Sequence, residues 1–314
     1  MAGGAGFIGS CLVHALVAAG DTVVVLDNML TGRLENLAPH LGGPALTVVI
    51  ADAIEALPDA LTARGFDDIY HLASPASPAA YARHPIETLM VNSTGTHRLL
   101  ELARTNGARF LFASTSEVYG DPDVHPQVET YWGNVNPIGP RACYDEGKRF
   151  GESLVVHYAR LFDVDARVAR IFNTYGPRSD PADGRMIPNF CVQALLGQPL
   201  TVYGDGTQTR SLCYVDDLAR GLRALMNEPS ARHEVINLGS PEEHDVLTIA
   251  RMIVAVTGER SPIEYRPLPQ DDPRRRRPDI AKARRMLGWA PTTPLAEGLD
   301  QTLAYFRAEL GVVA

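Results

Sequence analysis

The sequence predicts an α/β fold: a doubly wound parallel sheet followed by a smaller carboxyl-terminal lobe. Three observations predict it. From Gly6 to about Phe172, short β-branched runs alternate with amphipathic stretches, the pattern of repeated βαβ units. A glycine-rich turn, Gly3-Gly4-Ala5-Gly6-Phe7-Ile8-Gly9, opens the first apolar helix, and Asp27 ends the apolar run that follows it. Beyond Asn173 the spacing becomes irregular and prolines are frequent, which divides the chain into residues 1–172 and 173–314. The first part reads as a Rossmann-type domain and the second as a mainly substrate-binding lobe, with some segments returning to the first.

Taken in order, the expected strands of the first part are Thr22–Leu26, Leu46–Ile50, Asp68–Leu72, Arg109–Ser114 and Ala166–Ile171. Helical periodicity covers Phe7–Ala19, Ile86–Thr105 and Ala142–Leu161. In the second part, Leu200–Tyr203 and Arg210–Tyr214 read as strands, and Asp205-Gly206 between them is a hairpin signal. Tyr214–Met226, Leu247–Thr257 and Leu295–Leu310 read as helices. One element is missing: only Met1 and Ala2 precede the glycine turn, where a strand of about 5–6 residues belongs. That strand is central in such a sheet, so its loss leaves two neighbours without a pairing partner. The expectation is either a start assigned too late or a chain weakened in cofactor retention.

Composition narrows the function classes. Hydrophobic residues make up 45% and charged residues 21% of 314, ordinary values for a globular protein with a sizeable core. A net charge of −8 argues against nucleic acid or an anionic membrane as a partner. No apolar run approaches the ~20 residues of a membrane span, and no signal-peptide pattern opens the chain, so the reading is cytoplasmic. Cys11, Cys143, Cys191 and Cys213 have no metal or redox spacing; no metal is expected.

The glycines at positions 3, 6 and 9 allow a tight turn and close backbone approach, so a pyrophosphate can sit on free N–H groups at the helix start. Asp27 is placed to accept both ribose hydroxyls of an adenosine and to repel a 2′-phosphate, which favours NAD over NADP. Arg33, in Thr31-Gly32-Arg33, either weakens that preference or contacts the pyrophosphate. Further on, Thr115-Ser116-Glu117 follows a strand end, where parallel sheets present side chains to a ligand crevice. Tyr144 and Lys148 stand four apart, on one face of a helix. An ammonium beside a phenol stabilises the phenolate and makes a base of Tyr144. Such a pair alone carries little information; joined in order to the glycine turn, Asp27 and Thr115-Ser116-Glu117, it points to an oxidoreductase-type site. His71, at a strand end, reads as a packed neutral side chain.

These segments resemble the extended short-chain dehydrogenase/reductase family, and within it the UDP-glucuronic acid decarboxylases (UDP-xylose synthases). The resemblance is carried by His71–Pro78, Thr115–Pro122, Tyr131–Asn134, Gly139–Arg149 with its Gly-Pro-Arg-Ala-Cys-Tyr-Asp-Glu-Gly-Lys-Arg block, Ala169–Arg178, Leu200–Gly206 and Arg277–Ile280. It implies C4 oxidation of UDP-glucuronic acid with NAD, loss of carbon dioxide from the β-keto acid and re-reduction to UDP-xylose. It implies Thr115, Glu117, Tyr144, Lys148 and Arg276 as catalytic residues. Glu117 would lie near C5, assisting proton movement or destabilising the carboxylate, and Arg276 would meet or orient that carboxylate. The implied cofactor set is Gly3, Gly6, Phe7, Ile8, Gly9, Asp27, Asn28, Gly32, Arg33, Asp52, Leu72, Ala73, Ser74, Asn92, Tyr144 and Lys148. The implied substrate set is Ser116, Asn173, Arg185, Asn189, Tyr203, Gln208, Arg210 and Arg276. A homodimer through the two long helices is implied as well. Two relatives compete: nucleotide-sugar 4-epimerases, and 4,6-dehydratases, which carry an aspartic acid where this chain has Ser116. A non-catalytic NAD-binding sensor is the rival from another class.

Overall fold

The computed structural model describes residues 1–258, 261–268, 270–271 and 273–312. Helix α1 (Phe7–Ala18) leaves the glycine turn and leads into β1 (Val23–Asp27), whose every side chain is buried. Strand β2 (Leu46–Ile50) pairs with β1 in parallel. A single-turn helix α2 (Asp59–Thr62) precedes β3 (Asp68–His71), and two short helices follow, α3 (Pro78–Arg83) and α4 (Pro85–Met90).

The long helix expected over Ile86–Thr105 changes register in the middle. Helix α4 passes through a π turn, Val91–Gly95, into α5 (Thr96–Asn106). The cause is local competition for backbone carbonyls. The Asn92 side chain donates to Thr88 O at 2.8 Å, Ser93 Oγ donates to Leu89 O at 2.8 Å, and Thr96 Oγ1 donates to Asn92 O at 2.9 Å.

Strand β4 (Arg109–Thr115), helix α6 (Ala142–Phe162) and strand β5 (Ala166–Ile171) complete the first part. The remainder holds β6 (Thr174–Tyr175), α7 (Met186–Leu195), β7 (Leu200–Tyr203), β8 (Thr209–Ser211) and β9 (Cys213–Tyr214). After them come α8 (Val215–Asn227), β10 (Val235–Leu238), β11 (Glu243–Asp245), α9 (Val246–Val256) and β12 (Ile263–Arg266). Strand β13 (Arg275–Arg276), α10 (Ala281–Leu287) and α11 (Leu295–Leu310) end the chain's elements.

All pairings in the main sheet are parallel, β3 beside β4, β4 beside β5 and β5 beside β10, so a late segment returns to the first sheet. Ala2 bridges β1 and β3. Ala2 N donates to Tyr70 O at 2.9 Å and Ala2 O accepts from Leu72 N at 2.8 Å; on the other side Leu26 N donates to Met1 O at 2.8 Å and Gly3 N to Leu26 O at 2.9 Å. The carboxyl-terminal ends of β1 and β3 therefore do find a partner there, contrary to the expectation of two orphaned neighbours, and the order reads β2-β1-Ala2-β3-β4-β5-β10.

Apolar cores cover both faces of this sheet. On one face Leu12, Val13 and Leu16 of α1 meet Leu218, Leu222 and Leu225 of α8; on the other Leu99, Leu100 and Ala103 of α5 meet Val155, Tyr158 and Ala159 of α6. A third core, around Phe190, Ile249, Leu299 and Phe306, holds the later elements together. The hairpin expected around Asp205-Gly206 does not form. Strand β7 pairs with β12, whereas β8 lies between β11 and β13, so the two flanking strands belong to different sheets. Asp205 instead closes a local turn on Thr207, and Gln208 Nε2 donates to Tyr203 O at 2.7 Å.

Candidate active site

The ends of β1, β2 and β3 open into one cleft. Gly3, Gly6, Asp27, Asn28, Gly32, Asp52, Leu72, Ala73 and Ser74 line it, together with Thr31, Ala53 and Ile54, which sequence reasoning missed. The glycines have separate reasons. Gly3 has φ +81°, and a Cβ there would lie 2.5 Å from Ala73 N; a Cβ on Gly9 would lie 2.0 Å from Gly3 O. Gly6, by contrast, would meet nothing nearer than Gly3 O at 3.4 Å, so its bareness serves the cleft rather than the packing.

A dinucleotide fits these residues. Helix α1 has no side-chain cap and no acidic residue in its first turn, and it starts directly after Gly6 of the cleft wall, the arrangement that suits a pyrophosphate. The Asp27 carboxylate is pinned by N–H donors from Ala5 and Met29, both at 3.0 Å, and burial raises its pKa against those two bonds. Asn28 Nδ2 donates to Asp52 Oδ2 at 2.8 Å across the outer wall. Asn92 is fully buried; it donates to Ser74 Oγ at 2.9 Å, and its Oδ1 has no partner among the described residues. The π turn thus carries a polar amide to Ser74 of the cleft wall. Arg33 does not line the cleft: its guanidinium is 3.0 Å from Glu309 of α11, because the loop carries the side chain outward while its N–H holds Ala5 O. Phe7, Ile8 and Gly9 lie in the first turn of α1 and shape the helix start rather than the wall.

At the end of β4, Thr115 Oγ1 accepts from Glu117 N at 3.2 Å and starts a 3-10 turn, Ser116–Tyr119. Tyr144, in the first turn of α6, lies close enough to Thr115 for that hydroxyl to lower its phenol pKa, and it stacks on Tyr81 at 5.3 Å. Burial pushes the Tyr144 phenol up to about 12, with Arg185 and Thr115 opposing. Lys148 shares this face of α6. Its ammonium donates to Ala113 O at 2.8 Å and lies 5.9 Å from the Tyr144 ring centre, and burial lowers its own pKa to about 7. Helical spacing brings the two residues to one face, but the sheet carbonyl captures the amine.

Glu117 is the centre of a buried charge cluster that the sequence did not disclose in full. Its Oε2 lies 2.6 Å from Arg141 Nη2 and 3.2 Å from Arg276 Nη2. Burial works to raise the Glu117 carboxyl, but Arg276 and Arg141 overcome it and hold the group well below the usual carboxylate range. Arg276 is 1% exposed and also donates to Ser116 O and, at 3.1 Å, to Gly120 O. Register places Arg210 of β8 opposite Arg276 of β13, and Arg210 adds to the positive field on Glu117. Asp145, next to Tyr144, is buried, and its carboxyl is pushed up to about 7 by burial and by the Glu117 charge. Arg141 and Asp145 were both legible only as letters of a motif; the signal for them was their position beside Tyr144 at the start of α6.

The remaining substrate candidates are dispersed. Asn173 O accepts from Cys213 N at 2.9 Å, tying β5's exit to β9. Arg185 precedes α7 and is close enough to Tyr144 to lower its phenol pKa. Asn189 turns to Gly184 O at 3.0 Å, and Tyr203 and Gln208 sit in the β7 turn. His71 is fully buried between Phe110 and Phe112, and burial holds its pKa down to about 3, the packed neutral side chain expected of it.

Residues 1–239 match the model of the NAD dependent epimerase/dehydratase family. The chain belongs to that family. It is 53% identical over 308 residues to UDP-glucuronic acid decarboxylase 1 of Danio rerio, covering 98% of this chain and 72% of that protein. It is 51% identical over 305 residues to UDP-glucuronic acid decarboxylase 2 of Arabidopsis thaliana, covering 97% of this chain and 67% of the relative. Among solved structures it is similar to a UDP-glucuronic acid 4-epimerase from Bacillus cereus in complex with UDP-glucuronic acid and NAD, with a TM-score of 0.87, 29% identity and 98% of each chain covered. NAD is the family's cofactor, and the cleft described above is where this family member would hold it. Among the described residues, no helix is long and apolar enough to cross a membrane.

Proposed function

We propose that this chain is an NAD-dependent UDP-glucuronic acid decarboxylase that forms UDP-xylose. The observation that carries the reading is the arginine pair on Glu117, set at the end of β4 beside Thr115 and Tyr144. Arg276, Arg141 and Arg210 all act on Glu117 and gather cationic groups at this end of the site, which suits a sugar acid. A neutral hexose would gain nothing from it. The similarity to curated decarboxylases over nearly the whole chain supports the same reading.

In this reading the sugar lies between Tyr144 and the inner end of the cleft, and NAD, when bound, supplies a reversible hydride acceptor. Tyr144 takes the proton of the 4-hydroxyl, with the Thr115 hydroxyl holding the same oxygen. Arg185 and Thr115 favour the phenolate that this step needs, against the burial that resists it. The β-keto acid then loses carbon dioxide, the electrons of the broken C5–C6 bond passing to the C4 oxygen. Thr115 and the reprotonated Tyr144 donate to that oxygen as it becomes anionic. Glu117 stays ionised at neutral pH and faces the carboxylate end, where its charge opposes a ground-state carboxylate and its oxygen is available to steer a proton to C5. Arg276 acts through Glu117, since its donors are committed to Ser116, Gly120 and Glu117.

Asn173, Arg185, Asn189, Tyr203, Gln208 and Arg210 belong to the UDP end of the substrate, and residues 173–314 mainly form that lobe. A homodimer through α4 and α6 is part of the proposal, supported by the exposed apolar residues Ile86, Leu89, Met90 and Phe150 on those helices. So is a cytoplasmic setting, which suits four cysteines that are all free thiols. The test is incubation with UDP-glucuronic acid and NAD, followed by proton NMR. A UDP-pentose with a new C5 methylene is the expected product; a C4 epimer, or no turnover by protein that binds NAD, overturns the reading.

A further inference from the structure

Behind the site lies an ionic joint that has no task in the reaction just described. Glu152 stands on α6 about two turns beyond Tyr144 and one beyond Lys148. Its carboxylate accepts from Arg170 of β5 through both oxygens, Oε1 from Nε at 2.9 Å and Oε2 from Nη2 at 2.7 Å. Oε1 also accepts from Ser114 Oγ of β4 at 2.5 Å. The Glu152 and Arg170 side chains are 12% and 13% exposed, and Ser114 is buried. Parallel register sets Ser114 beside Arg170. The third guanidinium nitrogen, Nη1, donates to Tyr119 Oη and to Glu129 O, both at 3.0 Å, and Tyr119 ends the 3-10 turn that carries Glu117. None of Ser114, Glu152 and Arg170 lines the dinucleotide cleft.

Apolar packing presses a helix onto a sheet but has no direction, so by itself it leaves α6 free to slide along β4. A bidentate fork has fixed directions and removes that freedom. A covered ion pair is a weak source of stability but a good device for selecting one arrangement. The place of this one is telling. Ser114 lies between Ala113, whose carbonyl accepts from Lys148 Nζ at 2.8 Å, and Thr115, the hydroxyl beside Tyr144. The fork therefore grips α6 at the one strand end whose neighbouring residues meet both Lys148 and Tyr144. Resting on the reading of Tyr144 as the base that opens the reaction, we propose that Glu152 is a positioning residue. Held by Arg170 and Ser114, it fixes α6 on β4 and so sets how Tyr144 approaches Thr115 and the sugar between them. It acts through these two residues, and its effect falls on the chemical step rather than on the hold of the second lobe on the nucleotide.

The experiment is a double-mutant cycle on the NAD-loaded protein, with Ser114→Ala, Glu152→Gln and the two combined. Steady-state turnover of UDP-glucuronic acid is measured well below each Tm, and UDP-xylose binding by calorimetry. Because a displacement of about 1 Å costs about 10²-fold in rate, Glu152→Gln should lower kcat by about 10–100-fold, with KM and the UDP-xylose Kd within about twofold of the parent. Ser114→Ala should lower kcat by a smaller factor, about 3–10-fold, and should have no further effect in the Glu152→Gln protein, since the hydroxyl acts through that carboxylate. Arg170→Lys keeps the charge and gives up the fork, and should reproduce the loss seen with Glu152→Gln. A lowered Tm with kcat unchanged would make the joint merely structural and overturn the proposal. So would losses that multiply in the combined variant, or that appear in KM alone. If Glu152→Gln does not fold, Ser114→Ala decides, because it removes one hydroxyl and no charge: an unchanged kcat overturns the proposal. No turnover of UDP-glucuronic acid by the unaltered NAD-loaded protein overturns the functional reading itself, and this proposal with it.

Discussion

Replacing Arg276 by lysine keeps the charge and removes the fork. The guanidinium donates to Ser116 O, to Gly120 O at 3.1 Å and to Glu117 Oε2 at 3.2 Å, and an ammonium on a single stem can serve about one of the three. Hydrogen bonds from charged donors are worth about 1.5–3 kcal/mol each, so losing two costs about 4 kcal/mol after partial replacement by water. An unfolding entropy of about 2.1 cal/mol/K per residue gives roughly 0.7 kcal/mol/K for 314 residues, and hence a fall in Tm of about 6 °C. The acid limb changes too. A carboxyl held below its ordinary value of 4.5 contributes stability that is present above that value and is lost as pH falls beneath it. Arg276 is the largest of the charges holding Glu117 down, so weakening it shrinks this contribution, and the variant should lose less additional stability between pH 4.5 and 2.5 than the parent does. Thermal unfolding across pH, with turnover measured alongside, is the assay. A Tm within about 1 °C of the parent together with an unchanged acid limb would refute the argument that Arg276 works through Glu117.

Gly9→Ala places a Cβ 2.0 Å from Gly3 O and should destabilise the fold by about 1–3 kcal/mol, while Gly6→Ala, at 3.4 Å, should leave Tm nearly unchanged and weaken NAD binding in fluorescence titration. Tyr144→Phe should lower kcat by about 10²–10⁴ while UDP-sugar affinity is retained, as read by steady-state kinetics and calorimetry. Lys148→Met should raise Tm near pH 7. The buried amine binds its proton less well folded than unfolded, so the parent gains stability as pH rises from about 7 towards 10.5, and the variant should lack that slope.

Local features were readable along the chain because they depend on short-range geometry. A glycine at φ +81°, an acid at the end of a buried strand, and a phenol and an amine one helical turn apart are all set by near neighbours, and they placed Gly3, Asp27, Tyr144 and Lys148 correctly in the fold. Long-range pairing was another matter. Glu117 meets Arg141 across 24 positions and Arg276 across 159, and no periodicity links them. Strand β7 finds β12, about 60 residues later, so a good turn signal at Asp205-Gly206 was overruled by a better partner elsewhere. Even Lys148 obeyed tertiary rather than helical logic: packing α6 on β4 put Ala113 O within its reach, and burial weakened its hold on its proton. Which side chains face a ligand follows from strand ends and helix turns; which charges stand next to one another, and therefore what protonation states they hold, follows only from how those elements are packed.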